Sequence, residues 1–230
     1  MSGVRGAAPN DAKPGEIAWH GRSPLQLRRF SALAPRIIAI GASTGGPQAL
    51  AGLLSRLSPC LGDTPVIVVL HMPKAFTDVV SADIARLTGR PTTSPRNGES
   101  VKPGHIYFAQ GGIHLRVVRV GALYAMTFAD TPPENFCKPS VDVLFRSVAD
   151  AYGPAALGIV LTGMGADGLA GARKVVDAGG SIVAQDEASS AVWGMPGEIA
   201  RAGLASAILP VDAMADAVGA RLMAGTRAPR

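Results

Sequence analysis

The feature that most constrains this chain is an alternation of short apolar runs with longer stretches of helical periodicity, beginning near residue 36. The runs at residues 37–40 and Val66–Leu70 are bounded by glycine or proline and are too short for helices, so they indicate buried strands. Between them, leucines recur at helical spacing, at Leu50, Leu53, Leu54 and Leu57. Strands that alternate with helices in this way predict an α/β fold, with a doubly wound, mainly parallel sheet and helices on both faces.

The middle of the chain has a different pattern. Gly-Gly or Val-Gly pairs separate three β-like runs, at residues 105–109, 114–120 and 123–128. Such closely spaced runs are typical of hairpins, so we expect an antiparallel hairpin excursion near residues 105–128, at one edge of the sheet. Residues 1–34 show no periodicity and are expected to form a flexible N-terminal tail. Residues 35–225 are expected to form a single domain.

Composition excludes several classes of protein. Apolar residues make up 47% of the 230 residues, enough for a sizeable core. No apolar run approaches the ~20 residues of a membrane span, and no secretory signal opens the chain, so we expect a cytoplasmic protein without membrane insertion. The net charge of +5 is scattered and aromatic residues are only 5%, which disfavours a nucleic-acid partner. Cys60 and Cys137 lack the spacing of a zinc site or a disulfide framework, so no metal and no cofactor are expected.

Polar residues of three particular types follow three of the predicted strands. Ser43 lies in Gly-Ala-Ser-Thr-Gly directly after the first strand, and His71 follows the second. Asp167 lies in the glycine-rich segment after the strand at residues 156–161. The carboxyl ends of parallel strands open into a common crevice, which is where ligands bind in such sheets. A serine, a histidine and an aspartate at that edge suggest a nucleophile, a general base and an orienting carboxylate.

Each of these residues also has a plainer explanation. Ser43 could cap the next helix or belong to a phosphate-binding turn, His71 could cap or pack, and Asp167 could cap a helix. Dinucleotide binding is disfavoured, because the glycine spacing is not GxGxxG and no acidic residue ends the second strand. Taken together, the three residues favour a triad. Its chain order, Ser–His–Asp, excludes the α/β-hydrolase fold, in which the aspartate precedes the histidine.

Seven segments then occur in order between residues 36 and 212. They are IGASTGGP at 40–47, HMP with FT at 71–77, PGHIY at 103–107, KPSVDVLF at 138–145, LTGMGADG at 161–168, QDE at 185–187 and VWGMPG at 192–197. In this order they resemble the catalytic domain of CheB, the family of chemotaxis protein-glutamate methylesterases.

The resemblance implies a doubly wound α/β domain that hydrolyses glutamate γ-methyl esters on methyl-accepting chemoreceptors and that often deamidates glutamines as well. By position, it assigns the nucleophile to Ser43, the base to His71 and the orienting carboxylate to Asp167. Thr44 and Met164 match positions that line the family's site, and they are candidates for the oxyanion hole. The partner implied is the cytoplasmic helices of a chemoreceptor, and neither a cofactor nor a metal is required.

Two departures from the family's usual pattern affect what we expect. Only about 35 residues precede the first strand, too few for a receiver domain of about 100 residues, so a separate regulator would take its place. Leu70 stands where the family often has glutamine, and this change is expected to leave the triad chemistry intact. Two alternatives stay open. One is a non-chemotactic serine esterase or glutaminase on the same scaffold, and the other is a catalytically silent receptor-binding module.

Overall fold

A computed structural model describes residues 25–226. Within this range the chain forms ten strands and six α-helices. The strands are β1 (Ile37–Ala42), β2 (Val66–Leu70), β3 (Thr92–Thr93), β4 (Glu99–Ser100), β5 (Ile106–Phe108), β6 (His114–Val120), β7 (Leu123–Ala129), β8 (Ala156–Val160), β9 (Ser181–Gln185) and β10 (Ala207–Leu209). The helices are α1 (Gly46–Leu57), α2 (Lys74–Thr88), α3 (Val141–Tyr152), α4 (Leu169–Asp177), α5 (Met195–Arg201) and α6 (Val211–Thr226).

Seven of the strands form one parallel sheet in the order β10-β9-β8-β1-β2-β5-β3. Its central strand, β1, is buried along its whole length because helices cover both faces. Ile37 and Ala39 pack into the core on the side of α3, α4 and α5, whereas Ile38 and Ile40 pack on the side of α1 and α6. This alternation follows from the two-residue period of a strand. The prediction of a doubly wound, mainly parallel sheet is confirmed.

The antiparallel excursion is also present. β6 and β7 form a hairpin, and β4 joins it to make a separate three-stranded sheet in the order β4-β7-β6. The first of the three predicted hairpin runs is different, because β5 pairs in parallel with β2 and so belongs to the main sheet. The strands β3 and β4 have only two residues each, too few to leave a periodic pattern in the sequence.

Part of the segment predicted as a tail is described by the structure. Residues 25–34 contain no helix, but Leu25 and Leu27 pack against the core. The Arg28 N–H donates to the Ala205 carbonyl at 2.8 Å. Residues 1–24 of the predicted tail lie outside the described residues, so the tail stays a prediction. From residue 25 to residue 226, no helix combines the length and the apolar character needed to cross a membrane.

Candidate active site

The register of the central strands brings the predicted site residues to one edge of the sheet. Ala42 of β1 pairs with Leu70 of β2, so Ser43 and His71 are the next residues on neighbouring strands. The His71 N–H donates to the Ala42 carbonyl at 3.0 Å. On the other side of β1, the Ser43 N–H donates at 3.0 Å to the carbonyl of Thr162, which follows β8. Both residues therefore stand at the carboxyl ends of adjacent parallel strands, as predicted.

His71 and Asp167 are joined directly. Nε2 of His71 lies 2.8 Å from Oδ2 of Asp167, with the imidazole 12% exposed and the carboxylate 2% exposed. An ionised carboxylate only accepts hydrogen bonds, so Nε2 carries the proton in this pair. In the neutral ring, Nδ1 then has the lone pair and is the atom that can take a proton.

The carboxylate of Asp167 is fixed by the N-terminus of α3. Its Oδ2 accepts the Val141 N–H at 2.7 Å, and its Oδ1 accepts the Ser140 hydroxyl at 2.7 Å and the Asp142 N–H at 3.0 Å. Burial alone would raise the pKa of Asp167, but these bonds and the one from His71 outweigh burial and lower it. The unpaired N–H groups and dipole of a helix N-terminus favour an anion in the same way. Asp167 is therefore held ionised.

Two glycines allow α3 to come this close to the sheet. A Cβ on Gly41, in β1, would lie 2.5 Å from Cγ1 of Val141, nearer than real Cβ contacts come. A Cβ on Gly168 would lie 3.0 Å from the same atom, and this residue also has a φ of +100°, which favours glycine. The glycines around the predicted site therefore let the first turn of α3 reach Asp167.

The Ser43 side of the site has fewer contacts. Ser43 is half-buried in the turn between β1 and α1, where the Gly46 N–H donates to its carbonyl at 2.7 Å. Among residues 25–226, the ring nitrogens of His71 bond to Asp167 and Cys137, and the Ser43 hydroxyl bonds to neither nitrogen. The structure thus brings His71 and Asp167 into contact, whereas it places Ser43 beside them without a side-chain hydrogen bond.

Backbone groups near Ser43 are available to a ligand. Thr44 is exposed in the turn, and Met164 is 75% exposed in the loop after β8. Neither residue's N–H is paired within the part of the chain that the structure describes. The two loops are packed together, because the Thr162 hydroxyl donates to the Thr44 carbonyl at 2.9 Å and a Cβ on Gly163 would lie 2.9 Å from that of Ser43.

The sequence did not single out Cys137, which lies against the histidine. Its Sγ is 3.6 Å from Nδ1 of His71 and 3.3 Å from the Asn135 carbonyl. Burial, together with the nearby charges of Asp167 and Asp142, raises the pKa of this thiol to about 11. The thiolate is the nucleophilic form of cysteine, so Cys137 is a poor nucleophile at neutral pH.

Three further polar residues near Asp167 were also missed. Asn135, at a φ of +49°, donates from Nδ2 to Oδ2 of Asp142 at 2.8 Å and to Oδ1 of Asp167 at 3.4 Å. Oδ1 of Asp142 accepts the Gly171 N–H at 2.6 Å, but burial raises the pKa of this carboxyl. Ser140, the N-cap of α3, could have been found as a serine before an apolar run, whereas nothing in the local pattern marks Asn135 or Cys137.

Comparison with known proteins decides the family. A profile of the CheB methylesterase family matches residues 38–218, which is most of the chain. The chain belongs to the CheB methylesterase family. The catalytic domain of the Thermotoga maritima CheB methylesterase has a similar fold, with a TM-score of 0.78 and 31% identity, over 82% of this chain and 99% of that domain.

Relatives of this family are similar over most of the chain. A protein-glutamate methylesterase/protein-glutamine glutaminase of Bradyrhizobium diazoefficiens is 51% identical over 88% of this chain and 51% of its own length. A protein of the same name from Rhodopseudomonas palustris is 45% identical over 97% of this chain and 57% of its own length. The chain thus spans about half the length of the curated relatives that it matches.

Proposed function

We propose that residues 35–225 form the catalytic domain of a protein-glutamate methylesterase that demethylates glutamate γ-methyl esters on chemoreceptors and deamidates receptor glutamines. The proposal rests on the hydrogen bond of 2.8 Å between His71 and the buried Asp167, beside Ser43 at the carboxyl edge of the sheet. The names of the relatives from Bradyrhizobium and Rhodopseudomonas support the same reaction. No metal or cofactor is needed for this chemistry.

The proposed reaction begins with attack by Oγ of Ser43 on the ester carbonyl, while Nδ1 of His71 takes the hydroxyl proton. Asp167 holds the tautomer with a proton on Nε2 and stabilises the imidazolium that forms. The tetrahedral intermediate expels methanol, which leaves with the proton from Nδ1. Water, activated in turn by His71, then hydrolyses the acyl-enzyme. With a glutamine amide the leaving group is ammonia, whose departure requires the same proton.

The oxyanion of the intermediate would be held by the backbone of Thr44 and Met164. Both N–H groups are unpaired within residues 25–226, and both belong to loops at the ends of β1 and β8. One such donor typically contributes about 3 kcal/mol to transition-state stabilisation. Because the backbone rather than a side chain donates, replacing the Thr44 side chain alone should leave this contribution in place.

The substrate partner that we propose is a helical surface of the receptor's cytoplasmic part, which places the enzyme in the cytoplasm. Large apolar side chains stand exposed close in sequence to the site: Phe76 is 62% exposed, Phe136 103% and Met164 75%. Phe136 directly precedes Cys137, whose thiol contacts the histidine. When a partner covers an aromatic or methionine side chain exposed to this degree, the burial of its apolar surface stabilises the complex.

The experiment that tests this function measures methanol and ammonia released from a methylated receptor fragment. We expect turnover by the wild-type protein and a loss of at least about 10⁴-fold in Ser43→Ala. Ser55→Ala is a matched control, because Ser55 is an exposed serine of α1 whose hydroxyl donates to the Gly52 carbonyl of the same helix. Circular dichroism should show that both variants are folded.

The same experiment separates the alternatives. Hydrolysis of a small ester without any release from the receptor fragment would favour an esterase with another substrate. Binding of the fragment without release of either product would favour a silent receptor-binding module. Turnover by Ser43→Ala close to the wild-type rate would remove Ser43 as the nucleophile.

A further inference from the structure

The histidine of the proposed triad also belongs to a cluster with metal-ligand chemistry. The ligand atoms of His71, Cys137 and Asp167 all lie within 4.8 Å of one another. A zinc ion bound tetrahedrally, at about 2.3 Å from sulfur and 2.0–2.1 Å from nitrogen, separates its two ligand atoms by about 3.5 Å. Nδ1 of His71 and Sγ of Cys137 are 3.6 Å apart. The two atoms therefore already have the spacing of a zinc-bound pair.

Asp167 prepares Nδ1 for this role. The hydrogen bond to its carboxylate places the ring proton on Nε2 and leaves the lone pair of Nδ1 facing the thiol. Histidine ligands of zinc commonly donate their other N–H to a carboxylate, which fixes the tautomer and makes the ligand more basic. The oxygens of Asp167 already accept hydrogen bonds from Val141, Ser140 and Asp142, so this residue would act behind the histidine rather than on the metal.

Charge and access favour a cation at this position. The carboxylate of Asp167 contacts the histidine, and that of Asp142 shares the Asn135 amide with it, so their negative charges attract a divalent cation. Cys137 is only half-buried and His71 keeps 12% of its side-chain surface exposed, so an ion can enter from solvent. A thiolate with an imidazole selects zinc and similar soft or borderline ions over magnesium or calcium.

We propose that His71 and Cys137 together bind a zinc ion, which blocks Nδ1 and so inhibits the proposed esterase reversibly. On binding, the metal replaces the thiol proton of Cys137, which is released to solvent, and one Zn–S and one Zn–N bond form. With two protein ligands, water fills the remaining positions of a four-coordinate site. The two residues are 66 positions apart, which explains why no ligand spacing is visible along the chain.

The site can be tested without the esterase reaction. Zinc binding is measured by competition with a chromogenic indicator, for the wild-type protein and for Cys137→Ser, His71→Ala and Cys60→Ser. Cys60→Ser is the matched control, because Cys60 is the other half-buried free cysteine and lies outside the site. Losing one ligand should weaken zinc binding at least about tenfold in the first two variants, whereas Cys60→Ser should bind as the wild type does.

Cobalt substitution gives an independent signature. A Co²⁺ ion bound to a thiolate produces a charge-transfer band in the near ultraviolet, which we expect in the wild type and in Cys60→Ser and not in Cys137→Ser. The proposal is overturned if the wild type binds no zinc at micromolar concentrations, or if Cys137→Ser binds it as tightly as the wild type.

The inhibitory effect rests on the proposed function, and a separate readout keeps the two apart. Zinc should inhibit methanol release by the wild type, and inhibition of Cys137→Ser, relative to its own zinc-free rate, should require at least about tenfold more zinc. If the wild type binds zinc through both residues but releases no methanol, the site stands and the esterase function fails. If it releases methanol and zinc binds without slowing it, the inhibitory role fails.

Discussion

The two halves of the candidate site are built differently. The half with His71 and Asp167 is held by side-chain and backbone hydrogen bonds from the N-terminus of α3, and its carboxylate is only 2% exposed. The half with Ser43 is a turn whose serine is half-buried and whose hydroxyl is not bonded to the histidine. Catalytic hydrogen bonds in unliganded sites are often long and tighten only when substrate binds.

This contrast indicates that the half with His71 and Asp167 is the preorganised part of the site. The buried carboxylate of Asp167 must be paired with His71 before the substrate arrives, because leaving a buried carboxylate unpaired is costly. A neutral hydroxyl has no such cost. The Ser43 hydroxyl therefore need not bond to the histidine until the substrate binds and excludes water. We therefore expect mutations in the two halves to differ in how much they lower the free energy of unfolding relative to how much they lower kcat.

The largest combined effect is expected from Asp167→Asn. An amide in place of the carboxylate cannot accept hydrogen bonds from all the buried donors of α3, which should lower the free energy of unfolding by about 2 kcal/mol. It also loses control of the imidazole tautomer, for which a fall in kcat of about 10⁴-fold is expected. Urea unfolding and methanol release measure the two effects. Ser43→Ala should lose as much activity with an unchanged unfolding free energy, and equal destabilisation by both variants would contradict the comparison.

A smaller effect is expected when the proposed nucleophile, Ser43, is displaced rather than removed. In Gly163→Ala the new methyl group would lie 2.9 Å from Cβ of Ser43 and would also clash with Sδ of Met195. Crowding of this kind costs about 1–3 kcal/mol, and misplacing the hydroxyl by about 1 Å lowers kcat roughly 10²-fold.

The control for this variant is Gly52→Ala in α1, where a Cβ would lie 3.3 Å from Cγ1 of Val211 and close to no other side chain that the structure describes. Its kcat should be that of the wild type. Wild-type kcat in Gly163→Ala would show that the position of Ser43 does not depend on the loop after β8.

The half of the site with His71 and Asp167 should also affect how the free energy of unfolding depends on acidic pH. Burial opposes ionisation of Asp167, but its hydrogen bonds prevail, so its folded pKa is below the usual 3.8. A lowered folded pKa contributes stability above the unfolded value, and this contribution is lost as the pH falls through the folded pKa.

The unfolding free energy of the wild type should therefore fall more steeply between about pH 5 and pH 2 than that of Asp167→Asn. Burial raises the pKa of Asp142, so ionisation of this carboxyl opposes folding. Its unfavourable effect on the free energy of unfolding therefore diminishes as the pH falls, which is opposite to the effect of Asp167. Asp142 is present in both proteins, but the charge of Asp167 helps to raise its pKa, so the difference between the two titrations reports Asp167 together with its effect on Asp142. Parallel slopes would contradict the assignment.

The sequence predicted the parts of the molecule that depend on local pattern. Apolar runs placed β1, β2 and β8, and the rule that ligands bind at the carboxyl ends of parallel strands placed Ser43, His71 and Asp167 at one edge. In the fold, Asp167, which follows β8, contacts both His71, which follows β2, and the first turn of α3.

What the sequence could not predict depends on distant segments meeting. Cys137 and Asn135 reach the site through a loop whose backbone has positive φ at Asn135 and Phe136, and no periodicity marks such a loop. The orientation of the imidazole, with Nε2 towards Asp167, depends on three-dimensional packing. The parallel pairing of β5 with β2 was hidden because three apolar residues look the same in a hairpin and in a buried strand.

The smallest effect, and the finest test of the comparison, is expected from Ser140→Ala. The Ser140 hydroxyl accepts the Asp142 N–H at 3.1 Å and donates to Asp167 at 2.7 Å, so it caps α3 and orients the carboxylate together. Loss of the cap should cost about 1 kcal/mol, and loss of one of several donors to Asp167 should lower kcat by no more than about tenfold.

Ser147→Ala is the matched control, because Ser147 is a buried serine of the same helix whose hydroxyl bonds to the Leu144 carbonyl and the Val117 N–H. Both variants should be destabilised to a similar degree, but only Ser140→Ala should lose rate, because of the two hydroxyls only that of Ser140 contacts Asp167. An equal loss of rate in both variants would mean that the stability of α3, rather than the hydrogen bond to Asp167, sets the activity.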